Sequence, residues 1–346
     1  MRIAILSYPM LFQAQGGLQI QIAESISALK RRSVDAALIN PNIDQLVNFD
    51  LIHVFSAING NHRIIEQAKA FGLPAVCSPL IQPHWTTSLG RRSRALETLV
   101  GKLTGWEVKT EYRQIASCLS NSDALLALGE TEKASIVNAF GIAPDRIRIV
   151  PNGIPGRFFA ATPDLAHERL ASAQAFILCV AKISPHKNQL ALARATAASK
   201  LKLVIAGECL PAYKAYLDEL LAFDHVTYLG KLSYDDPLLP SLYAAARVFC
   251  LPSHSEVMPL CVMEALAAGT PAVMTQHHCM DLSTMRAVVT EVSPTDELAI
   301  EKAVRAFVAH VPSAEDCRAA VASFTWDSVA EKIHQTYEEV LNRPST

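Results

Sequence analysis

The sequence predicts an α/β protein made of two doubly wound halves, and three observations carry that reading. Short apolar runs alternate with stretches of helical period from Arg2 to near the C-terminus, as parallel strands covered by helices on both faces do. The alternation runs twice, on either side of a turn-rich segment without a strand pattern. The chain has 346 residues, about twice a typical domain of ~150, and its 50% apolar content is enough for two cores.

In the first half, strands are expected at Arg2–Ser7, Asp35–Asn40, Leu51–Phe55, Pro74–Ser78, Ala124–Leu128 and Ile147–Val150. Leu18, Ile22, Ile26 and Leu29 share one face of a helix that opens after Gly16-Gly17, completing a βαβ unit. Pro151-Asn152-Gly153-Ile154-Pro155-Gly156 clusters turn formers and is read as a hinge. The second half begins again with Phe176–Ala181, Leu203–Gly207, Val226–Leu229, Val248–Leu251, Ala272–Thr275 and Val288–Val292. Past Pro312, a short helix precedes one from Trp326, where Val329, Ile333, Tyr337 and Val340 recur at helical spacing. That apolar face has to dock.

Composition excludes several classes. With 50% apolar and 18% charged residues the chain is not disordered. Its 31 Lys and Arg against 33 Asp and Glu give a net charge of -2, so no global basic field recruits nucleic acid. The mean hydropathy is +0.20, yet the longest uncharged stretch, Ala70 to Gly90, contains Pro74, Pro79, Pro83, Gln82 and His84 and does not read as a spanning helix. The apolar start, Met1 to Leu6, is too short for a signal peptide, so a cytoplasmic location is expected. The eight cysteines form no CxxC and are expected to be reduced and mostly buried, with neither zinc nor disulfide. G-x-G-x-x-G is missing after the first strand of either half, G-x-x-x-x-G-K-[ST] is absent, and no D-x-D pair offers a carboxylate-held cation.

The chemistry is concentrated in Leu251 to Val273. A strand runs into a polar loop, Pro259 suits a first helical turn, and Gly269 with Pro271 stops the helix. Free amides and the helix dipole at such a start attract phosphate, and a carboxylate nearby, Glu264, accepts hydrogen bonds from sugar hydroxyls. Phosphate plus polyol describes a nucleotide sugar. Glu256 lies eight residues before Glu264 on the preceding loop.

This stretch resembles the donor motif of retaining glycosyltransferases of the GT-B fold, in particular glycosyltransferase family four, with its pattern like E-x-x-P-x-x-x-x-E-A-x-A-x-G-x-P. Val180-Ala181-Lys182-Ile183-Ser184-Pro185-His186-Lys187-Asn188 is similar to the family's G-R-x-x-x-x-K-[GN] loop, and Pro151-Asn152-Gly153 to its hinge. Gly16-Gly17 resembles its N-terminal glycine loop, and Phe324-Thr325-Trp326 the F-[ST]-W that opens a helix crossing back to the first domain. The resemblance implies a GT-B fold of two Rossmann-like domains. Residues 1–152, completed by the crossover helix 326–346, would bind the acceptor, and 153–325 the nucleotide-sugar donor.

It further implies transfer of a hexose from a nucleoside diphosphate to a hydroxyl acceptor (glycan, lipid-linked sugar or small molecule), with retention, no metal and no cofactor besides the donor. A departing diphosphate then needs preorganised cations, for which Lys182 and Lys187 are the candidates. Lysine at 182, where arginine is usual, keeps the charge and loses the bidentate fork. Glu256 is assigned to the sugar and Glu264 to the ribose, with Met258, Pro259, Leu260, Cys261, Glu208 and His254 as further donor contacts and His186 in the same loops. Val257 replaces a common glycine, which bears on how closely the loop approaches the sugar. On the acceptor side the candidates are Gly16, Gly17, His84 and His53, a histidine expected at a strand end and able to orient or deprotonate a hydroxyl. Arg91, Arg92, Arg94 and Lys102 accompany Leu96, Leu99, Val100 and Leu103 at helical spacing, a candidate peripheral membrane contact at the inner face. An inactive nucleotide-sugar-binding relative and a GT-B nucleotide-sugar epimerase are the alternative readings.

Overall fold

In the computed structural model, which describes residues 1–13, 16–105, 108–199 and 201–343, the chain forms two compact units, Met1–Gly153 with Trp326–Thr346, and Ile154–Thr325. The first unit is a parallel sheet in the order β2-β1-β3-β4-β5-β6, where β1 is Arg2–Leu6, β2 Asp35–Leu38, β3 Leu51–Phe55, β4 Ala75–Ser78, β5 Ala124–Ala127 and β6 Ile147–Ile149. The second has the order β12-β11-β10-β7-β8-β9, where β7 is Phe176–Val180, β8 Lys202–Ala206, β9 Val226–Tyr228, β10 Val248–Leu251, β11 Ala272–Thr275 and β12 Val289–Val292. All twelve expected strands form, their ends within two residues of expectation. They were readable because β3, β4, β5 and β10 are buried along their whole length, which makes them apolar runs interrupted only by His53 and Ser78.

Helix Gly17–Arg31 buries Ile22 and Leu29 and half-buries Leu18 and Ile26. The final helix, Trp326–Leu341, packs into the first unit through Val329, Ile333, Tyr337 and Val340. Gly153 makes room for its start, since a Cβ there would lie 2.6 Å from the Trp326 nitrogen. Arg31 to Asp327 at 2.6 Å and Arg148 to Glu339 at 2.9 Å tie the helix along its polar side. The helix ends at Leu341, short of the expected 346, and residues 344–346 lie outside the described residues. Among the described residues no helix is long and apolar enough to cross a membrane, and all eight cysteines are free thiols.

Candidate functional site

In each sheet the strand order reverses once, and loops at the carboxyl ends of the two strands flanking that reversal form the natural crevice of a doubly wound fold. In the second unit the reversal falls between β7 and β10. Both donor-like loops, Ala181–Asn188 after β7 and Pro252–Pro259 after β10, leave from these two strands.

The loops are laced together. The His254 amide donates to the His186 carbonyl and the Glu256 amide to the His277 carbonyl, both at 2.9 Å. Asn188, in a left-handed conformation with φ 61° that asparagine tolerates, donates its side-chain amide to the Pro252 and Pro294 carbonyls at 3.0 and 2.8 Å. This fixes Lys187, whose Nζ lies 2.5 Å from Glu256 Oε1. Burial opposes the Lys187 charge and Glu256 more than offsets it, so the ammonium is held above the ordinary lysine range. Helix Leu260–Ala268 follows, with Pro259 at its N-cap and Gly269 at φ 96° closing it. Met258 and Leu260 are buried and Cys261 is half-buried at this start. Val257 is buried, its carbonyl accepts from the Cys279 amide at 2.8 Å, and it is not among the residues of positive φ, so valine fits the loop without strain.

Glu264 sits in the second turn of this helix at 4% exposure, where the Tyr243 hydroxyl donates to its Oε2 at 3.0 Å. It is no solvated surface residue. Lys182 is half-buried, its charge disfavoured by burial and by Lys231 and Lys187 and favoured by Glu208. Glu208 in turn accepts from Lys231 at 2.9 Å. Gly207 makes this juxtaposition of loops: at φ 156° a Cβ would collide with the Ala181 carbonyl oxygen. Gly207→Ala should therefore lower stability by roughly 2–3 kcal/mol, a drop in Tm of about 5–10 °C. Melting within about 1 °C of the parent would show that these loops separate at no cost.

In the first unit the reversal lies between β1 and β3. Gly16 is the N-cap of helix Gly17–Arg31 in the connection after β1, and His84 is exposed in the connection after β4, its ring 5.6 Å from that of Trp85. His53 corrects its expectation. It lies in the middle of β3 and not at its end, with 0% exposure, and both ring nitrogens are occupied, Nδ1 by the Tyr337 hydroxyl at 2.7 Å and Nε2 by Ser78 Oγ at 2.9 Å. Burial pushes its pKa down to about 3. A neutral ring committed on both sides to the protein has no nitrogen for an acceptor hydroxyl, so His53 is a fixture of the final helix. Backbone at positive φ gathers in the same connections, at Met10, Ser56, Asn59 and Leu80, the kind of strain that binding loops carry.

Three residues of the second unit's site had escaped sequence reasoning. Ser253 Oγ is buried beside Pro252 with no hydrogen-bond partner among the described residues. Lys231 follows Gly230 just past β9, and a cation at a strand's carboxyl end was the available signal. Tyr243 lies on helix Leu238–Ala245 and carries no signal of its role. Among the described residues no group of three or more His, Cys, Asp or Glu is placed to hold a metal ion.

Residues 163–338, half of the chain, match the protein family described as Glycosyl transferases group 1, and residues 13–155 match Glycosyltransferase Family 4. A D-inositol 3-phosphate glycosyltransferase of Kribbella flavida is 32% identical over 170 residues, 44% of this chain and 40% of that enzyme. The match thus spans about two-fifths of that relative's length. A putative glycosyltransferase of Bacillus subtilis, EpsF, is 26% identical over 75% of this chain and 67% of its own. Among solved structures, sucrose-phosphate synthase from Thermosynechococcus elongatus superposes with a TM-score of 0.78 at 17% identity, covering 98% of this chain and 99% of that one. Anabaena HepE in complex with UDP gives 0.71 at 15% identity, covering 98% and 100%. These neighbours share the GT-B arrangement of paired Rossmann-like sheets.

Proposed function

Since the chain belongs to the glycosyl transferases group 1 family, we propose that it is a metal-independent, retaining glycosyltransferase that moves a hexose from a nucleoside diphosphate to a hydroxyl acceptor. The observation that carries this reading is the Lys187–Glu256 pair, 2.5 Å apart and mostly buried, on the two loops at the strand reversal of the second unit. A carboxylate there suits sugar hydroxyls. The lysine beside it, with Lys182 and the amides opening helix Leu260–Ala268, suits the diphosphate, whose negative charge grows as the anomeric C–O bond breaks. Tyr243 orients the Glu264 carboxylate, which takes the ribose hydroxyls. Met258, Leu260, Cys261, Glu208 and His254 line the donor, and Lys231 pairs with Glu208.

Retention means that the acceptor oxygen ends on the face that the phosphate leaves; in a same-face attack the departing phosphate oxygen lies beside the acceptor hydroxyl and takes its proton as the anomeric C–O bond to phosphate breaks. The first unit holds the acceptor through the connections after β1, β3 and β4. With His53 committed to Tyr337 and Ser78, the exposed His84 is the one of the two expected histidines left to orient a hydroxyl.

Melting curves with UDP, GDP, ADP and their hexoses test this. A ligand bound only by the folded state at about 100 times its Kd adds ~2.7 kcal/mol, which is a rise in Tm of about 5–10 °C. One of these nucleotides should produce it, and both the rise and the release of nucleoside diphosphate from its sugar should persist in excess EDTA. If none raises Tm, the donor assignment fails. If EDTA stops release and Mg²⁺ restores it, the lysines are not the counter-charge.

A further inference from the structure

The first unit carries a helix of reversed polarity. Helix Thr87–Thr104 turns Gly90, Glu97 and Gly101 inward. A Cβ at Gly90 would collide with the Ala139 backbone, and Glu97 accepts from the Thr110 amide and hydroxyl. With Gly90, Glu97 and Gly101 buried and only Leu89 and Val100 half-buried among its large apolar residues, Leu96, Leu99 and Leu103 are left outside at 56%, 56% and 77% exposure. Arg91, Arg92 and Lys102 are exposed as well, and the helix's only carboxylate is the buried Glu97. At about 100° per residue, Arg92 and the three leucines fall within about 60° of arc, with Arg91 and Lys102 along one flank.

Water does not stabilise three outward leucines, and nothing inside the first unit requires them there. An apolar stripe edged by cations and free of exposed acid matches one surface in chemistry, acyl chains beneath anionic headgroups. A second copy of the chain matches less well, because two-fold pairing would set Arg92 and its neighbours against their own equivalents. The first unit exposes further apolar side chains in other connections, Met10 and Phe12 after β1 and Ile43 after β2, at 74%, 49% and 77% exposure.

We propose that helix Thr87–Thr104 is a docking surface for an anionic lipid bilayer, lying in the interface with its leucines down and its cations on headgroup phosphates. The inference does not rest on the transfer reaction and would stand if the donor assignment failed. Co-sedimentation with vesicles of phosphatidylcholine containing about 30% phosphatidylglycerol, against pure phosphatidylcholine, tests it. The protein should pellet with the anionic vesicles only, and less so as salt is added. Arg91→Gln with Arg92→Gln should lower the partition coefficient about 25-fold, fivefold for each cation, and Leu99→Asp with Leu103→Asp should abolish it. All four positions are exposed, so melting curves should match the parent. Failure to bind anionic vesicles, equal binding to neutral ones, or binding unchanged by either double substitution would overturn the proposal. So would a parent that is dimeric by light scattering and becomes monomeric with Leu99→Asp and Leu103→Asp, which would give this face to a second copy.

Discussion

Lys187→Met should lower release of nucleoside diphosphate from the donor sugar by about 100- to 1000-fold in kcat, the loss typical when one preorganised charge-stabilising donor is removed. The structure makes Lys187 the cation to choose. It is fixed by Asn188 to the loops after β10 and β12, and Glu256 holds it charged. The same ion pair raises a competing explanation, because removing the lysine leaves Glu256, at 12% side-chain exposure, without its cation. A destabilised loop would also lower activity. The double variant Lys187→Met with Glu256→Gln separates the two, since it removes both charges and should recover the melting temperature of the parent. Turnover should stay low in it. If turnover in the double variant returned to within about threefold of Glu256→Gln alone, Lys187 would be a positioning residue for Glu256 and the diphosphate would need another partner.

What was legible in the sequence follows from how local each signal is. β10 and helix Leu260–Ala268 were readable because strand, loop, proline N-cap and closing glycine all fall in one short segment, from Val248 to Gly269. Glu256 and Glu264 were singled out by spacing, and both fall in that one segment. Roles set by distant chain segments were not readable. His53 follows Asp50-Leu51-Ile52 as an acceptor-side histidine would, and nothing near it announces that its ring faces Tyr337, 284 residues away. Tyr243 and Lys231 belong to the site only through Glu264 and Glu208. Helix Thr87–Thr104 was legible as amphipathic, but which face turns inward depends on Ala139 and Thr110, which pack against it from later in the chain.

The buried histidine leads to the second large effect, on stability against pH. His53 has a folded pKa of about 3, below its ordinary value of 6.5, because burial penalises the imidazolium. A depressed folded pKa means that the unfolded chain binds the proton first, so the stability contributed is complete above pH 6.5 and is lost as pH falls toward 3. The slope over that window should be about 1.4 kcal/mol per pH unit, for a total on the order of 5 kcal/mol. Glu132 titrates in part of the same window with the opposite sign. Burial raises its pKa to about 7 although the Leu128 and Ile81 amides both donate to it at 2.7 Å, so its contribution is lost as pH rises toward 7. The difference between the parent and His53→Gln isolates the histidine, because Glu132 is common to both and glutamine can still bridge Tyr337 and Ser78. Urea unfolding of the two proteins at intervals from pH 7.5 to 4 should show the parent's advantage shrinking steadily below about pH 6.5. A pH-independent difference, or an imidazole that titrates near 6.5 in the native protein by NMR, would mean that His53 is not sealed between β3 and the final helix and would return it to the acceptor side.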